Sequence, residues 1–351
     1  MKPKYKKYKI KKGDTLQSIS EKLNKTTHEV KSFHNVFCDS DNCIGVTFPI
    51  GLKELYIYPE YNEKELSLIP KVPFDDAYKL LLKPTQNKMN YGVMYTIKSG
   101  NEENTLKFEV SIVYKGKTIS DNNIFEIDRI SKTFINDEEV NTIADELAVK
   151  ASEVLYPLEV VVTNEGKWIE INNYKEINKR WKKVKAKILD EYEGEWVERY
   201  LMLNEKTLEN EDYLLDSLKK DWFLNSYFNT IYVYYSHKLK FQTNTTFPVL
   251  PNCKSVSYDI EQKVEEYLDV NNLIRIEQKG ELKEERSKAD LENEMDIPYY
   301  GILYPNQDMA KGKYRSLYFL NGNTNLIESL FLECSIELAV EKEIQVVVSL
   351  L

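Results

Sequence analysis

Tyr8-Lys9-Ile10-Lys11-Lys12-Gly13-Asp14-Thr15-Leu16-Gln17-Ser18-Ile19-Ser20 is the stretch from which the fold of the first sixty residues is read. Tyr8 to Lys11 alternate apolar and polar side chains, the period of a short half-buried strand. Gly13-Asp14 predicts a turn. Asp14 with Gln17 three residues later imitates a capping box and predicts that a first helix starts there. Leu16, Ile19 and Leu23 then share one helical face. Thr26 and Glu29 repeat the capping pattern for a second helix, with Val30 and Phe33 inward. Leu55-Tyr56-Ile57-Tyr58 has strand composition and Pro59 ends it. Residues 1–60 thus read as a strand–helix–helix–strand (βααβ) unit.

Beyond it the chain changes character. Pro59, Pro70, Pro73 and Pro84 are four of eleven prolines and mark residues 61–87 as a connector. Its Leu66, Leu68, Ile69, Phe74 and Leu80 predict that it packs on something. Strands are predicted at 91–98, 106–114 and 124–130, and a helix at 137–155 with Val140, Ile143, Leu147 and Ala151 inward. A hairpin follows around Asn164-Glu165-Gly166. Helices are expected at 173–192, 195–203 and 208–228. Strands resume at 231–241, 255–260, 273–278, 300–304, 314–320, 326–338 and 344–350, with residues 279–295 as a charge-rich exposed insertion. Strands, then helices, then strands predict that 88–351 is an α+β domain: an antiparallel sheet with helices on one face.

Composition narrows the class. At 351 residues, 42% hydrophobic and 30% charged, the chain is long enough for two or three domains with a real core. No apolar run approaches the ~20 residues of a spanning helix, so no membrane span is expected. A net charge of −9 argues against nucleic acid as a partner. The basic start, Met1 to Tyr8, is followed by no apolar segment of signal-peptide type, which predicts a cytoplasmic protein or one exported by a dedicated machine. Cys38, Cys43, Cys253 and Cys334 fit no metal spacing. Cys38 and Cys43 bracket a polar loop and read equally as a local disulfide or as two thiols.

The first unit resembles a LysM module. The resemblance covers residues 8–59, about one seventh of the chain, and is carried by Tyr8, Ile10, Gly13-Asp14-Thr15-Leu16, Ile19, Leu23, Val30, Asn35 and the Pro49/Gly51 pair before Leu55. Two features depart from the family pattern. The segment after Asn35 is longer, and Pro49-Ile50-Gly51-Leu52 stands where Pro-Gly-Gln is usual. The resemblance implies a shallow groove for N-acetylglucosamine-containing glycan of the peptidoglycan type, with Gly13, Asp14, Thr15 and Leu16 facing Phe48, Pro49, Ile50 and Gly51. LysM-like modules also serve as protein joints in phage-tail-like and contractile-injection assemblies, so subunits of a type VI-like apparatus are the alternative partners.

Nothing else in the chain is as specific. Lys179, Arg180, Lys182, Lys183, Lys185 and Lys187 crowd one helix and read as a solvated face. Tyr232, Tyr234, Tyr235, Tyr299, Tyr300 and Tyr304, among 25 tyrosines, read as cross-strand packing before a binding groove. The histidines, His28, His34 and His237, show no ligand or triad spacing, and no phosphate loop or nucleophile elbow is present. The expectation is a non-enzymatic binding protein, with no catalytic residue, metal or cofactor.

Overall fold

The computed structural model describes residues 5–23, 25–38, 42–45, 48–49, 51–57, 70–139, 142–304 and 308–351. Ile50, Tyr58, Pro59, residues 61–69 of the connector and Val140 lie outside the described residues. The chain divides into two compact units, 1–70 and 71–351, each with its own buried cluster.

The first unit runs β1 (Lys6–Lys9), α1 (Leu16–Lys22), α2 (Thr27–Phe37) and β2 (Glu54–Ile57). β1 and β2 pair antiparallel, Lys6 opposite Ile57 and Lys9 opposite Glu54. Ile19, Val30, Ile44, Leu55 and Ile57 form the core between strands and helices. Two local expectations change. The cap of α1 is Thr15, not Asp14: its hydroxyl accepts the Ser18 N–H while the Ser18 hydroxyl accepts the Thr15 N–H. Thr15 takes the position because the Asp14 carboxylate is drawn back toward β1. The Thr26–Glu29 capping box of α2 forms as the spacing predicts. Its inward residues are Val30 and His34, one helical turn apart, and Phe33 is only half-buried.

The second unit is built on one antiparallel sheet. Its strands are β3 (Met89–Ser99), β4 (Glu102–Lys117), β5 (Asn123–Arg129), the small β6 (Phe134–Ile135) and β7 (Glu138–Glu139), β8 (Leu158–Val162), β9 (Trp168–Ile171), β10 (Lys240–Phe247), β11 (Val256–Val264), β12 (Leu273–Leu282), β13 (Lys313–Asn321), β14 (Ile327–Ile336) and β15 (Lys342–Leu350). The main path is β10-β11-β12-β13-β14-β15-β3-β4-β5-β8-β9. The helices are α3 (Ile143–Glu153), α4 (Tyr174–Glu191), α5 (Glu195–Leu208), α6 (Glu211–Leu218), α7 (Trp222–Tyr227), α8 (Lys288–Glu292) and α9 (Tyr300–Leu303). Alternation sends Tyr314, Ser316, Tyr318 and Leu320 of β13, and Ile344, Val346 and Val348 of β15, into the core. α7 and the segment after it help cover this face: the Tyr318 hydroxyl donates to the Ser226 carbonyl at 2.9 Å, and the Tyr227 hydroxyl to that of Tyr91 at 3.0 Å. α4 brings Ile177, Trp181 and Ile188 into the same cluster, as its periodicity predicts. Val72 and Leu80, in the proline-marked stretch, belong to this core, their amides bonded to the carbonyls of Glu266 and Val233.

Several predicted elements are redrawn. The helix expected at 137–155 begins only after Thr142, because Asn136 and Asp137 take positive φ and close the β6–β7 hairpin. The helix over 208–228 breaks in two where the Asp221 carboxylate accepts the Leu224 amide at 2.7 Å and caps α7. Residues 231–239 are irregular, not a strand, with Ile231, Tyr232 and Tyr235 buried. Residues 300–303 form a helical turn. The charged stretch 279–295 is not an exposed insertion. Arg286 is buried, donating to the carbonyls of Lys254, Ser255 and Met295 and pairing with Glu284 at 2.7 Å. Ser287 caps α8, and Asp290, buried at the third helical position, closes the capping box by accepting the Ser287 amide at 2.8 Å. Burial alone would raise its carboxyl, but bonds from Ser287 and the amides of Tyr299 and Tyr300 hold it at about 2.

Candidate functional site

Antiparallel pairing places the end of β1 beside the start of β2, and the Ile10 N–H donates to the Lys53 carbonyl at 2.9 Å. The turn that leaves β1 and the turn that enters β2 therefore emerge at one end of the strand pair. Gly13 (φ +92°) shapes the first; Gly51 (φ +90°) shapes the second, where the Pro49 carbonyl accepts the Leu52 N–H at 3.2 Å. A Cβ built on either glycine meets nothing within 4 Å. Glycine is needed there for conformation alone, and open space leaves the main chain approachable.

Of the expected contact residues, Gly13, Asp14 and Thr15 lie on the first turn with Leu16 opening α1, and Phe48, Pro49 and Gly51 lie on the segment that enters β2. Their side-chain chemistry is largely committed to the fold. Asp14 accepts the Tyr8 hydroxyl and the Lys11 amide, both at 2.9 Å, and the Lys22 ammonium at 2.7 Å. The Lys22 bond and the Lys11 amide hold its carboxyl at about 2. Thr15 is the α1 cap. Leu16, Phe48 and Leu52 lean half-buried on the core. What faces outward is main chain at the glycines with apolar surface beside it.

Two α2 side chains hold the long segment before β2. Asn35 clamps Ile44, donating to its carbonyl at 3.1 Å and accepting its amide at 2.8 Å. His34, 1% exposed, accepts the Tyr56 amide on Nδ1 at 3.0 Å, which leaves the Nε2 proton to donate to the Asn42 carbonyl at 3.0 Å. Burial pushes the imidazole below its ordinary value. Ligand and triad spacing do not report this role of His34; the signal for it is the position one turn after Val30 on the buried face. Cys38 and Cys43 bring their sulfurs within 3.6 Å across the same segment.

The other singled-out residues do not converge. Arg180 of the basic helix is a structural clamp, donating to the carbonyls of Val154, Leu155 and Pro157 at 2.7–3.1 Å. Tyr232 and Tyr235 are core, whereas Tyr299 and Tyr304 flank the α9 turn and are exposed. His237 is exposed. A cleft of about 590 Å³ lies between the end of β5 and α3, but its cations are already engaged. Lys132 pairs with Glu139, Lys150 pairs with Glu191, and Arg129 donates to the Thr133 hydroxyl at 3.0 Å and sits 4.3 Å from the Phe108 ring centre, with its buried Nε alone lacking a partner among the described residues. Among the described residues no group of three or more His, Cys, Asp or Glu is arranged to hold a metal ion. No described helix is long and apolar enough to cross a membrane. The sequence matches no protein-family model and no curated protein.

Proposed function

We propose that residues 1–60 are a LysM-like module that engages N-acetylglucosamine-containing glycan of the peptidoglycan type through the 13–16 and 48–51 turns. The observation that carries this reading is the juxtaposition of two open glycine turns at one end of the β1–β2 pair. Exposed amides and carbonyls there suit acetamido groups, and the half-buried Leu16 and Phe48 suit the N-acetyl methyl. Asp14 and Thr15 shape the first turn without touching the ligand through their side chains. Retention of the full chain on purified peptidoglycan, and its loss when residues 1–60 are removed, is the expected result. Absence of retention at every salt concentration sinks the reading.

A second reading, a protein joint within a phage-tail-like or type VI-like secretion assembly, draws on one specific observation. Val36 on α2 is 73% exposed and shares a helix face with the half-buried rings of Phe33 and Phe37, 4.9 Å apart, an apolar patch that suits docking against protein. Sheath, spike or baseplate genes beside this one, together with no peptidoglycan retention, would favour it over the glycan reading.

A further inference from the structure

β10 is an edge strand whose inward face is unlike that of its neighbours. β11 turns Val256, Tyr258, Ile260, Gln262 and Val264 inward, all buried. β10 turns Phe241, Thr243, Thr245 and Phe247 the same way, so two hydroxyls stand where a core-facing strand carries apolar groups. They face a pocket of about 270 Å³. Its opposite wall is the irregular segment after α7, with Thr230 and the 60%-exposed Tyr234 at the rim.

The floor is polar and fixed. Gln262 and Gln278 stand opposite each other on β11 and β12. Gln278 donates to Gln262 at 2.6 Å, and Gln262 donates to the Tyr235 hydroxyl at 2.8 Å. The Gln278 carbonyl oxygen accepts from Ser316 at 2.7 Å and from Tyr314 at 3.1 Å. This bonded row runs from the pocket into the core and holds both amides in one orientation. Thr243 and Thr245, by contrast, make no side-chain hydrogen bond among the described residues. No Asp, Glu, Lys, Arg or His is among the described residues that line the pocket. The Lys79 ammonium lies 5.0 Å from the Tyr234 ring centre, outside the lining.

We propose that this pocket takes one neutral hexose ring. Unengaged hydroxyls, fixed amides and an exposed aromatic ring supply what a polyol needs: directional hydrogen bonds and an apolar surface for its C–H face. The absence of lining charge disfavours anionic and cationic ligands, which would be desolvated without a partner. The volume is below the ~300–1,000 Å³ of sites for drug-sized ligands and suits a single ring. Because the pocket lies wholly within residues 229–278, it stands apart from the glycan reading of the first unit.

Saturation-transfer NMR on the full chain tests it, with glucose, galactose and N-acetylglucosamine as neutral probes and glucuronate and glucose 6-phosphate as charged ones. At least one neutral hexose should receive saturation, more strongly than either charged probe. Tyr234→Ala, at an exposed position, and the isosteric Thr245→Val should each weaken that binding ~10-fold, which corresponds to ~1.4 kcal/mol. No transfer to any neutral hexose, a preference for a charged probe, or binding that survives both substitutions overturns the proposal. Peptidoglycan retention is scored separately through residues 1–60, so either reading can fail alone.

Discussion

Asp14 gathers three donors from three parts of the first unit: the Tyr8 hydroxyl on β1, the Lys11 amide in the turn and the Lys22 ammonium at the end of α1. Its carboxyl is depressed from 3.8 to about 2, chiefly by the Lys22 bond. A depressed carboxyl contributes stability that is fully present above the unfolded value and lost as pH falls through the folded one. Hydrogen exchange over residues 5–23 should therefore quicken as pH drops from about 4 toward 2, after correction for the intrinsic pH dependence of exchange. Asp14→Asn should remove most of that dependence and lower protection at neutral pH. His34 works in a higher range. Its neutral form is the one the site accepts, since Nδ1 must receive the Tyr56 amide. Burial lowers its pKa below 6.5, so stability is present above 6.5 and declines as pH falls below that value. Protection of residues 42–45 and 51–57 should weaken as pH falls below 6.5. His34→Ala, which orphans the Tyr56 amide, should cost ~1–3 kcal/mol.

At the scale of the element, short-range rules were legible and long-range ones were not. Thr26–Glu29 caps α2 as read because both partners lie within one turn. Asp14 was misassigned because its acceptors serve Tyr8 and Lys22, contacts that no local pattern reports. Ile231 to Phe241 has strand composition, yet before Lys240 it makes one isolated bridge, Tyr234 opposite Lys79, and the Tyr232 and Tyr235 hydroxyls are satisfied in the core by the carbonyls of Asn325 and Ile231. The site was half legible. Gly13 and Gly51 announce their turns because positive φ selects glycine. The inward threonines of β10 are invisible alone, since a polar–polar alternation does not say which face is in. Their one sequence signal is Phe241 and Phe247, which bracket Thr243 and Thr245 at even spacing. Glycine carries a different constraint in β12. A Cβ at Gly280 would stand 1.9 Å from the Asp259 carbonyl oxygen. Gly280→Ala should therefore force β11 and β12 apart and cost ~1–3 kcal/mol in denaturant unfolding. An unchanged midpoint would contradict that close approach.

Across the whole molecule, the second unit joins two runs of strands that are far apart in sequence. β3, β4, β5, β8 and β9 come from residues 89–171, and β10 to β15 from 240–350. Among the described strands, the one pairing that joins the two runs is β15 with β3, Lys342 opposite Ser99 and Leu350 opposite Tyr91. Val346, fully buried, sits mid-seam opposite Tyr95. Val346→Asp should cost about 4 kcal/mol or more, as an unpaired charge in a core does. Peptides from β4 and from β13 should then lose exchange protection together; loss confined to β15 would mean that the runs fold independently. The seam also sets a timetable on the ribosome. Once Ser99 has been made, 243 more residues must be added before Lys342 exists to meet it, roughly 12–50 s at ordinary elongation rates. For that interval β3, rich in Tyr, Val, Met and Ile, is an unpaired edge in a nascent chain. Occupancy by a holdase chaperone should peak there, and slower growth or lower temperature should raise the yield of folded protein.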